Sequence, residues 1–170
     1  WDHFRVLMLT HVKELIEQNA EKMLQHWADA PLGIYSAGIG RRELGEPITF
    51  AGIQSVRNRA EEIGHVDLII VDEAHLVSHK QEGGYRKLID ALTAINPRLR
   101  VLGLTATPYR LVHGYITYGD VLFVALIEPV SIEELVANGY LAPLRSKLTD
   151  HQIDVRGVKK RGGEYIDKEL

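Results

Sequence analysis

The apolar positions of this chain form short continuous runs, separated by segments with helical spacing. Runs that predict strands are residues 5–10, 33–36, 48–51, 68–71, 101–104 and 121–127. Segments that predict helices are residues 12–27, 53–63, 85–95 and 131–138. Strands that alternate with helices through short links favour parallel pairing and right-handed crossovers. The pattern therefore predicts an α/β fold with a parallel sheet.

The remaining segments read as connections. Gly38–Pro47 and Leu76–Gly84 are polar and contain glycine, so both are predicted loops. Ser131 followed by Glu134 forms a capping box, which marks the start of the last predicted helix. Beyond Pro143 the periodicity changes to an extended pattern over Leu144–Val155, and a hairpin tip is predicted at residues 159–163.

Composition excludes several classes of protein. The chain has 170 residues, a net charge of −3 and no cysteine. Disulfides and thiolate zinc sites are excluded, which agrees with a cytoplasmic protein. There is no apolar run long enough to cross a membrane. The small negative charge argues against simple electrostatic DNA binding, but not against a protein that grips phosphates locally.

The most informative run ends in two acids. Leu68–Val71 is continuously aliphatic, and Asp72 and Glu73 follow it directly. In parallel sheets, ligands gather at the carboxyl ends of strands, so both side chains should reach that edge. Adjacent carboxylates repel each other, and a bound cation or solvent would relieve the repulsion. The alternative is that Asp72 only begins a loop.

The chemistry of nucleoside triphosphate hydrolysis suits these residues. Asp72 fits a magnesium ligand that acts through a coordinated water, and Glu73 fits a general base that orients the attacking water. His75 could relay the state of the nucleotide to the neighbouring loop. A metalloenzyme would instead combine His75 and His79 with an acid, but the H-E-x-x-H order is missing.

A second polar group follows the strand at residues 101–104. Thr105 and Thr107 either end this strand before a proline, or bond to the D-E-A-H loop through their hydroxyls. Arg110 is either a surface arginine or a phosphate sensor. Gln54 and Ser55 either cap a helix or contact a nucleic-acid backbone, a contact that carries no sequence information. Basic pairs, including Arg57 with Arg59, are interpreted as solvated surface.

These motifs resemble the first RecA-like domain of superfamily 2 helicases. Asp72–His75 resembles the Walker B motif, and Leu104–Pro108 resembles motif III, which couples hydrolysis to movement. Thr10–Gln18 resembles motif Ia, and Thr49–Val56 resembles motif Ib. The resemblance implies a RecA-like sheet with helices on both faces, ATP and Mg²⁺ as cofactors, and helicase or translocase activity.

The resemblance also implies nucleic-acid contacts and a domain division. Motifs Ia and Ib contact the backbone in this family, so Thr10, His11, Lys13, Gln54 and Ser55 are candidate contacts. Thr-Ala-Thr-Pro is similar to the DNA-acting branch, which includes RadD-like repair helicases and type I and III restriction motors. DNA is therefore expected in preference to RNA. Residues 1–143 would be a partial first RecA-like domain, and residues 144–170 a linker or the start of the second.

One departure from the family is a missing element. The phosphate-binding loop with its Gly-Lys-Ser/Thr sequence is absent, although the family places it before motif Ia. We therefore expect a fold truncated at its N-terminus, from a longer motor, that alone neither binds ATP tightly nor hydrolyses it. The alternatives are a non-catalytic RecA-like module that binds nucleic acid or a partner protein, and an unrelated Rossmann-like binding domain.

Overall fold

The computed structural model describes most of the chain between residues 4 and 143. The described ranges are 4–77, 83–110, 114–118, 122–128 and 130–143, with the backbone of residues 160–161 and 164–165. The chain forms two compact units, Trp1–Val124 and Ala125–Leu170. None of the described helices is both long and apolar enough to cross a membrane.

The first unit is built on a six-stranded sheet. Its strands are β1 (Val6–Thr10), β2 (Leu32–Ser36), β3 (Arg41–Arg42), β4 (Ile48–Gly52), β5 (Leu68–Asp72) and β6 (Arg100–Leu104). Their order in space is β3-β2-β4-β1-β5-β6. The pairs are parallel, except that β3 runs antiparallel to β2.

Short helices and hairpins complete the described structure. The helices are α1 (Lys13–His26), α2 (Ile53–Val56), α3 (Ala60–Ile63), α4 (Gly84–Ile95) and α5 (Ile132–Ala137), with a 3₁₀ turn at Ala74–Leu76. The hairpins pair β7 (Tyr109–Arg110) with β8 (Gly114–Tyr115), and β9 (Lys160–Arg161) with β10 (Glu164–Tyr165).

Apolar side chains leave the sheet alternately on its two faces. Ile16 and Ala20 of α1 pack with Ile34 and Phe50 on one face. The other face is a larger core with helices α2 to α4, and its fully buried strand residues are Leu7, Leu9, Ala51, Ile69 and Val71. Full burial of one such leucine stabilises the fold by about 1.5–3 kcal/mol. The predicted α/β sheet with helices on both faces is confirmed.

The predicted helix over residues 53–63 is interrupted in the structure. It forms as α2 and α3, because Arg59 has φ −124° and ψ 31° and leaves the helical region. Asn58, a poor helix former, lies at the break and accepts a hydrogen bond from Lys87 of α4 at 2.9 Å. This tertiary contact favours two short turns over one continuous helix.

Two predicted strands also differ from the structure. β6 forms, but it is an edge strand rather than a buried one, and Leu102 and Leu104 are 44% and 45% exposed. The strand predicted at residues 121–127 is wrong, because residues 122–128 have no regular structure. Within that segment Phe123 is buried, while Val124 is 93% exposed. A uniformly apolar run has no periodicity that separates a strand from an anchored loop.

The predicted connections can be compared with the structure in part, since residues 78–82 of the loop predicted at Leu76–Gly84 lie outside the described residues. The loop at Gly38–Pro47 contains the two-residue strand β3. The predicted cap at Ser131 is confirmed, because Ser131 Oγ accepts a hydrogen bond from the Glu134 N–H at 3.1 Å. The hairpin predicted around residues 159–163 agrees with the pairing of β9 and β10. The extended pattern predicted over Leu144–Val155 lies outside the described residues.

Candidate active site

The strand ends bring two groups of predicted site residues to one edge of the sheet. The register pairs Thr10 at the end of β1 with Gly52 at the end of β4. It also pairs Asp72 at the end of β5 with Leu104 at the end of β6. Because these strands are parallel, the loops that follow them lie along the same carboxyl edge.

The two acids differ in their backbone conformation. Asp72 is the last residue of β5 and is half-buried, and its Oδ1 accepts the N–H of Glu73 at 3.1 Å. Glu73 lies in the left-handed region with φ 51° and ψ 52°, and its side chain is 42% exposed. It is the one non-glycine residue with positive φ in the described part of the chain. Such strain costs about 1–3 kcal/mol and is concentrated at functional sites.

A side-chain network joins the D-E-A-H loop to the Thr-Ala-Thr-Pro loop. His75 Nδ1 lies 2.9 Å from Thr105 Oγ1 and 3.2 Å from Glu73 Oε2. Thr105 Oγ1 also accepts the Thr107 N–H at 3.1 Å and donates to the Thr107 carbonyl at 3.2 Å. Since the hydroxyl proton is used in that donation, the bond to His75 needs a proton on Nδ1. Glu73 Oε2, a carboxylate oxygen that only accepts, lies 3.2 Å from Nδ1 and favours a proton on the same nitrogen.

The two threonines contribute differently to this network. Thr105 reaches the D-E-A-H loop directly through its hydroxyl, whereas Thr107 acts through its backbone N–H and carbonyl on Thr105. The backbone of Arg110 lies in β7, and its side chain is outside the described residues. The network therefore places the Thr-Ala-Thr-Pro loop next to the acids through one side-chain bond.

A buried phenol lies in the electrostatic field of Asp72. Tyr85 of α4 is 8% exposed, and its hydroxyl has no hydrogen-bond partner among the described residues. Burial, and to a smaller degree the charge of Asp72, raise the pKa of Tyr85 well above its ordinary value of 10.0. The sequence alone does not reveal this residue, because a tyrosine at the start of an amphipathic helix is typical of an ordinary core position.

The donor set of the acids fits a hydrated hard cation. Asp72 Oδ2 accepts no hydrogen bond from the described residues, so one oxygen remains available to a metal-bound water. The described residues hold no cluster of three or more side chains that would ligate a metal directly. This fits Mg²⁺, which keeps several of its waters and takes one or two carboxylates. His79, the other candidate ligand, lies outside the described residues.

The second group forms a cluster of small polar residues. Ser55 Oγ accepts the N–H of Ala37 at 2.9 Å, which joins the start of α2 to the turn after β2. The side chain of Lys13 passes over Gly38 in the same turn, with Lys13 Cδ 3.5 Å from where a Cβ would stand. Thr10 is buried, and its Oγ1 accepts the N–H of Val12 at 3.4 Å. Lys13 of the predicted motif Ia and Ser55 of the predicted motif Ib thus both contact the turn after β2.

A polar cleft opens beside this cluster. It has a volume of about 440 Å³ and is lined by Gln54, Ser55, Arg57, Asn58 and Arg59. Arg59 pairs with Glu62 at 2.6 Å, whereas Arg57 makes no ion pair with a described residue. From the sequence alone, Arg57 and Arg59 are expected to be solvated surface residues. The helix breaks between α2 and α3, and both arginines line the cleft at this break. The apolar periodicity of the sequence does not reveal the break.

Known proteins that are similar to this chain include restriction enzymes. Residues 1–110 match the ResIII family, described as the type III restriction enzyme res subunit. The chain is 29% identical over 100 residues to a type I restriction enzyme EcoAI endonuclease subunit of Escherichia coli, covering 58% of the chain and 11% of that protein. It is 28% identical over 167 residues to a 51.5 kDa protein of a Lactococcus phage (isolate 7-9), covering 98% of the chain and 31% of that protein.

The match to the family spans most of the described first unit. It includes both strand ends that carry the acids and the threonines, and the loops that carry the predicted nucleic-acid contacts. The chain spans less than a third of the length of either curated relative. The chain belongs to the ResIII family of restriction-enzyme helicase-like proteins, and its first unit is a superfamily 2 RecA-like domain.

Proposed function

We propose that this chain is part of an ATP-dependent DNA translocase or helicase, in which it couples ATP hydrolysis to movement on DNA. The observation that carries the proposal is the 2.9 Å contact between His75 Nδ1 and Thr105 Oγ1. It joins the loop with the two acids to the loop after β6. A change at the acids would therefore reach the second loop through one side-chain bond.

The acids have separate roles in this proposal. Glu73, whose side chain is 42% exposed, acts as the general base that orients the attacking water. Asp72 holds a metal-bound water with its available oxygen. Bound Mg²⁺ would neutralise charge on the nucleotide phosphates. His75 donates from Nδ1 and keeps the two loops together.

The cluster and its cleft are proposed to hold the nucleic-acid backbone. His11, Lys13 and Gln54 are exposed, and Ser55 shapes the turn beside them. Thr10 acts through the loop that its hydroxyl bond stabilises. Arg57 adds a cation in the cleft that a phosphate could pair with. The family suggests DNA as the partner, and contacts of this kind carry no sequence information.

The proposal requires elements outside this chain. A phosphate-binding loop would hold the nucleotide, and a second RecA-like domain would be the moving partner. We propose that residues 144–170 lead toward that domain, and that the longer protein is cytoplasmic and acts in restriction or DNA repair. The chain alone is then expected neither to bind ATP tightly nor to hydrolyse it.

The test compares the 170-residue chain with the longer protein. ATP turnover is measured with Mg²⁺, in the absence of DNA and with single-stranded or double-stranded DNA. We expect turnover from the longer protein that DNA stimulates, and none from the chain alone. Turnover by the chain alone would refute the dependence on outside elements. DNA binding without turnover in the longer protein would support a non-catalytic module instead.

A matched pair of variants tests the proposed DNA contact. Arg57→Ala removes a cation of the cleft, whereas Arg42→Ala removes an exposed arginine of the edge strand β3. We expect Arg57→Ala to weaken DNA binding and to lower the salt dependence of the affinity by about one ion. Equal effects of both variants would place the DNA elsewhere.

A further inference from the structure

The side-chain-free position 103 on β6 lets two groups approach the sheet closely. A Cβ at Gly103 would stand 2.7 Å from Ala74 Cβ and 2.7 Å from two ring atoms of Phe123. Real Cβ atoms essentially never approach other non-bonded atoms this closely. Glycine is therefore required here because Ala74 and Phe123 occupy the space, and not because of its backbone conformation.

Both groups that flank Gly103 belong to the larger core. Ala74 is fully buried, and Phe123 is 8% exposed although its segment has no regular structure. Its neighbours in that segment do not share its burial: Leu122 is half-buried and Val124 is 93% exposed. Phe123 is thus a single anchor, with its ring against the strand that carries the Thr-Ala-Thr-Pro loop.

Ala74 is the first residue of the 3₁₀ turn that also contains His75. The turn is anchored in the core at Ala74 and at Val77, whereas Leu76 points partly into solvent. The position of Ala74 against β6 therefore fixes how far His75 stands from Thr105, which lies two residues after Gly103. A smaller side chain at residue 123 would leave space beside Gly103 into which the turn can move.

We propose that Phe123 is a positioning residue for the D-E-A-H turn, which it holds against Gly103 so that His75 bonds to Thr105. The catalytic consequence of this inference rests on the proposed function. Its structural part rests only on the packing of Ala74 and Phe123 against Gly103. Among the described residues Phe123 is the last buried side chain before the boundary at Val124 and Ala125.

The experiment uses Phe123→Leu and the neighbouring control Val124→Ala. In the 170-residue chain, the nitrogen chemical shifts of His75 report whether Nδ1 keeps its proton. We expect Phe123→Leu to shift this signal, because Nδ1 loses Thr105 Oγ1 as an acceptor and keeps Glu73, and Val124→Ala to leave it unchanged. An unchanged signal in a folded Phe123→Leu variant would overturn the proposal.

The longer protein provides a second readout. Phe123→Leu is expected to lower kcat about tenfold with an unchanged KM for ATP, since one transition-state contact is misplaced. Phe123→Met, a flexible side chain of similar volume, should restore most of kcat. A lower unfolding midpoint with a normal kcat would show a merely structural residue and overturn the proposal. If Glu73→Gln leaves turnover unchanged, the proposed function fails, and the His75 signal alone then decides the positioning role.

Discussion

The two ends of the carboxyl edge are built in different ways. At the β1, β2 and β4 end, small polar side chains bond to backbone N–H groups, as Ser55 does to Ala37. At the β5 and β6 end, side chains bond to each other across loops, as His75 does to Thr105, and Glu73 has a strained backbone. The first end is a stable surface, and the second has a geometry that the surroundings must maintain.

This difference corresponds to two tasks. Gripping a phosphate backbone needs exposed donors on a constant frame, which local side-chain-to-backbone bonds provide. Hydrolysis that is coupled to movement needs a base and a sensor whose relation can change, which a single bond between loops allows. The contrast predicts that relieving the backbone strain at Glu73 raises stability while it lowers activity, an opposition that is not expected at the other end.

Among substitutions that leave both acids in place, the largest effect is expected from breaking the bond between the loops. Thr105→Val keeps the shape of the side chain but removes the hydroxyl that bonds to His75. In the longer protein we expect DNA-stimulated ATP turnover to fall about tenfold, which corresponds to about 1.4 kcal/mol. The measurement is steady-state turnover with saturating DNA.

Thr107→Val is the matched control for that substitution. The hydroxyl of Thr107 forms no hydrogen bond with a described residue, and its backbone contacts to Thr105 would remain. We expect a clearly smaller loss. Equal losses for the two variants would mean that the bond to His75 does not carry the coupling.

A moderate effect of opposite sign is expected from relieving strain. Glu73→Gly should stabilise the 170-residue chain by about 1 kcal/mol, because glycine adopts φ 51° without steric cost. Glu61→Gly, at an exposed position within α3, should destabilise the chain by about 0.5–1 kcal/mol. Urea unfolding of both variants measures the two signs. A destabilised Glu73→Gly variant would show that backbone strain at Glu73 does not distinguish the two ends of the sheet edge.

The end of β5 with its two acids could be predicted from the sequence, but the packing that holds the following turn in place could not. The strand that ends at Asp72 and the acids that follow were predictable, because a long aliphatic run that stops at charged residues is typical of a buried strand reaching the edge of a sheet. The role of Phe123 could not be predicted, because every residue of the run Val121–Ile127 is apolar and the pattern does not single out one of them as buried. Only the tertiary fit against Gly103 distinguishes Phe123 from Val124.

At the β1, β2 and β4 end of the edge, the sequence likewise predicts the elements but not their tertiary arrangement. The strand before Gly52 and the presence of Gln54 and Ser55 near a helix start were predicted correctly from turn and periodicity signals. The cleft was not, since it depends on the break at Arg59. Helical spacing of the apolar residues between positions 53 and 63 suits one continuous helix as well as two short ones. Long-range contacts decide between them.

The smallest effect is expected from the buried phenol behind Asp72. Tyr85→Phe removes a buried hydroxyl that has no partner among the described residues, so the free energy of unfolding at neutral pH should change by at most a few tenths of a kcal/mol. Tyr140→Phe, at an exposed position, is the control and should leave stability unchanged.

The pH dependence of Tyr85 gives that variant a sharper readout. Its pKa in the folded chain is raised above the ordinary value of 10.0, so above about pH 10 the unfolded chain loses a proton that the folded chain keeps. Stability must therefore fall as pH rises above that value. Tyr85→Phe should flatten this decline in urea unfolding measured from about pH 8 to about pH 11. An identical slope in both proteins would contradict the buried position of the phenol.

The most direct test of the central claim is ATP turnover by a Glu73→Gln variant of the longer protein, with Glu61→Gln as the control. If Glu73 orients the attacking water, turnover falls about 10²–10⁴-fold while ATP and DNA binding are retained, because the amide keeps the shape but cannot accept the proton. Glu61→Gln should turn over ATP at the wild-type rate. Wild-type turnover in the Glu73→Gln variant would contradict the account.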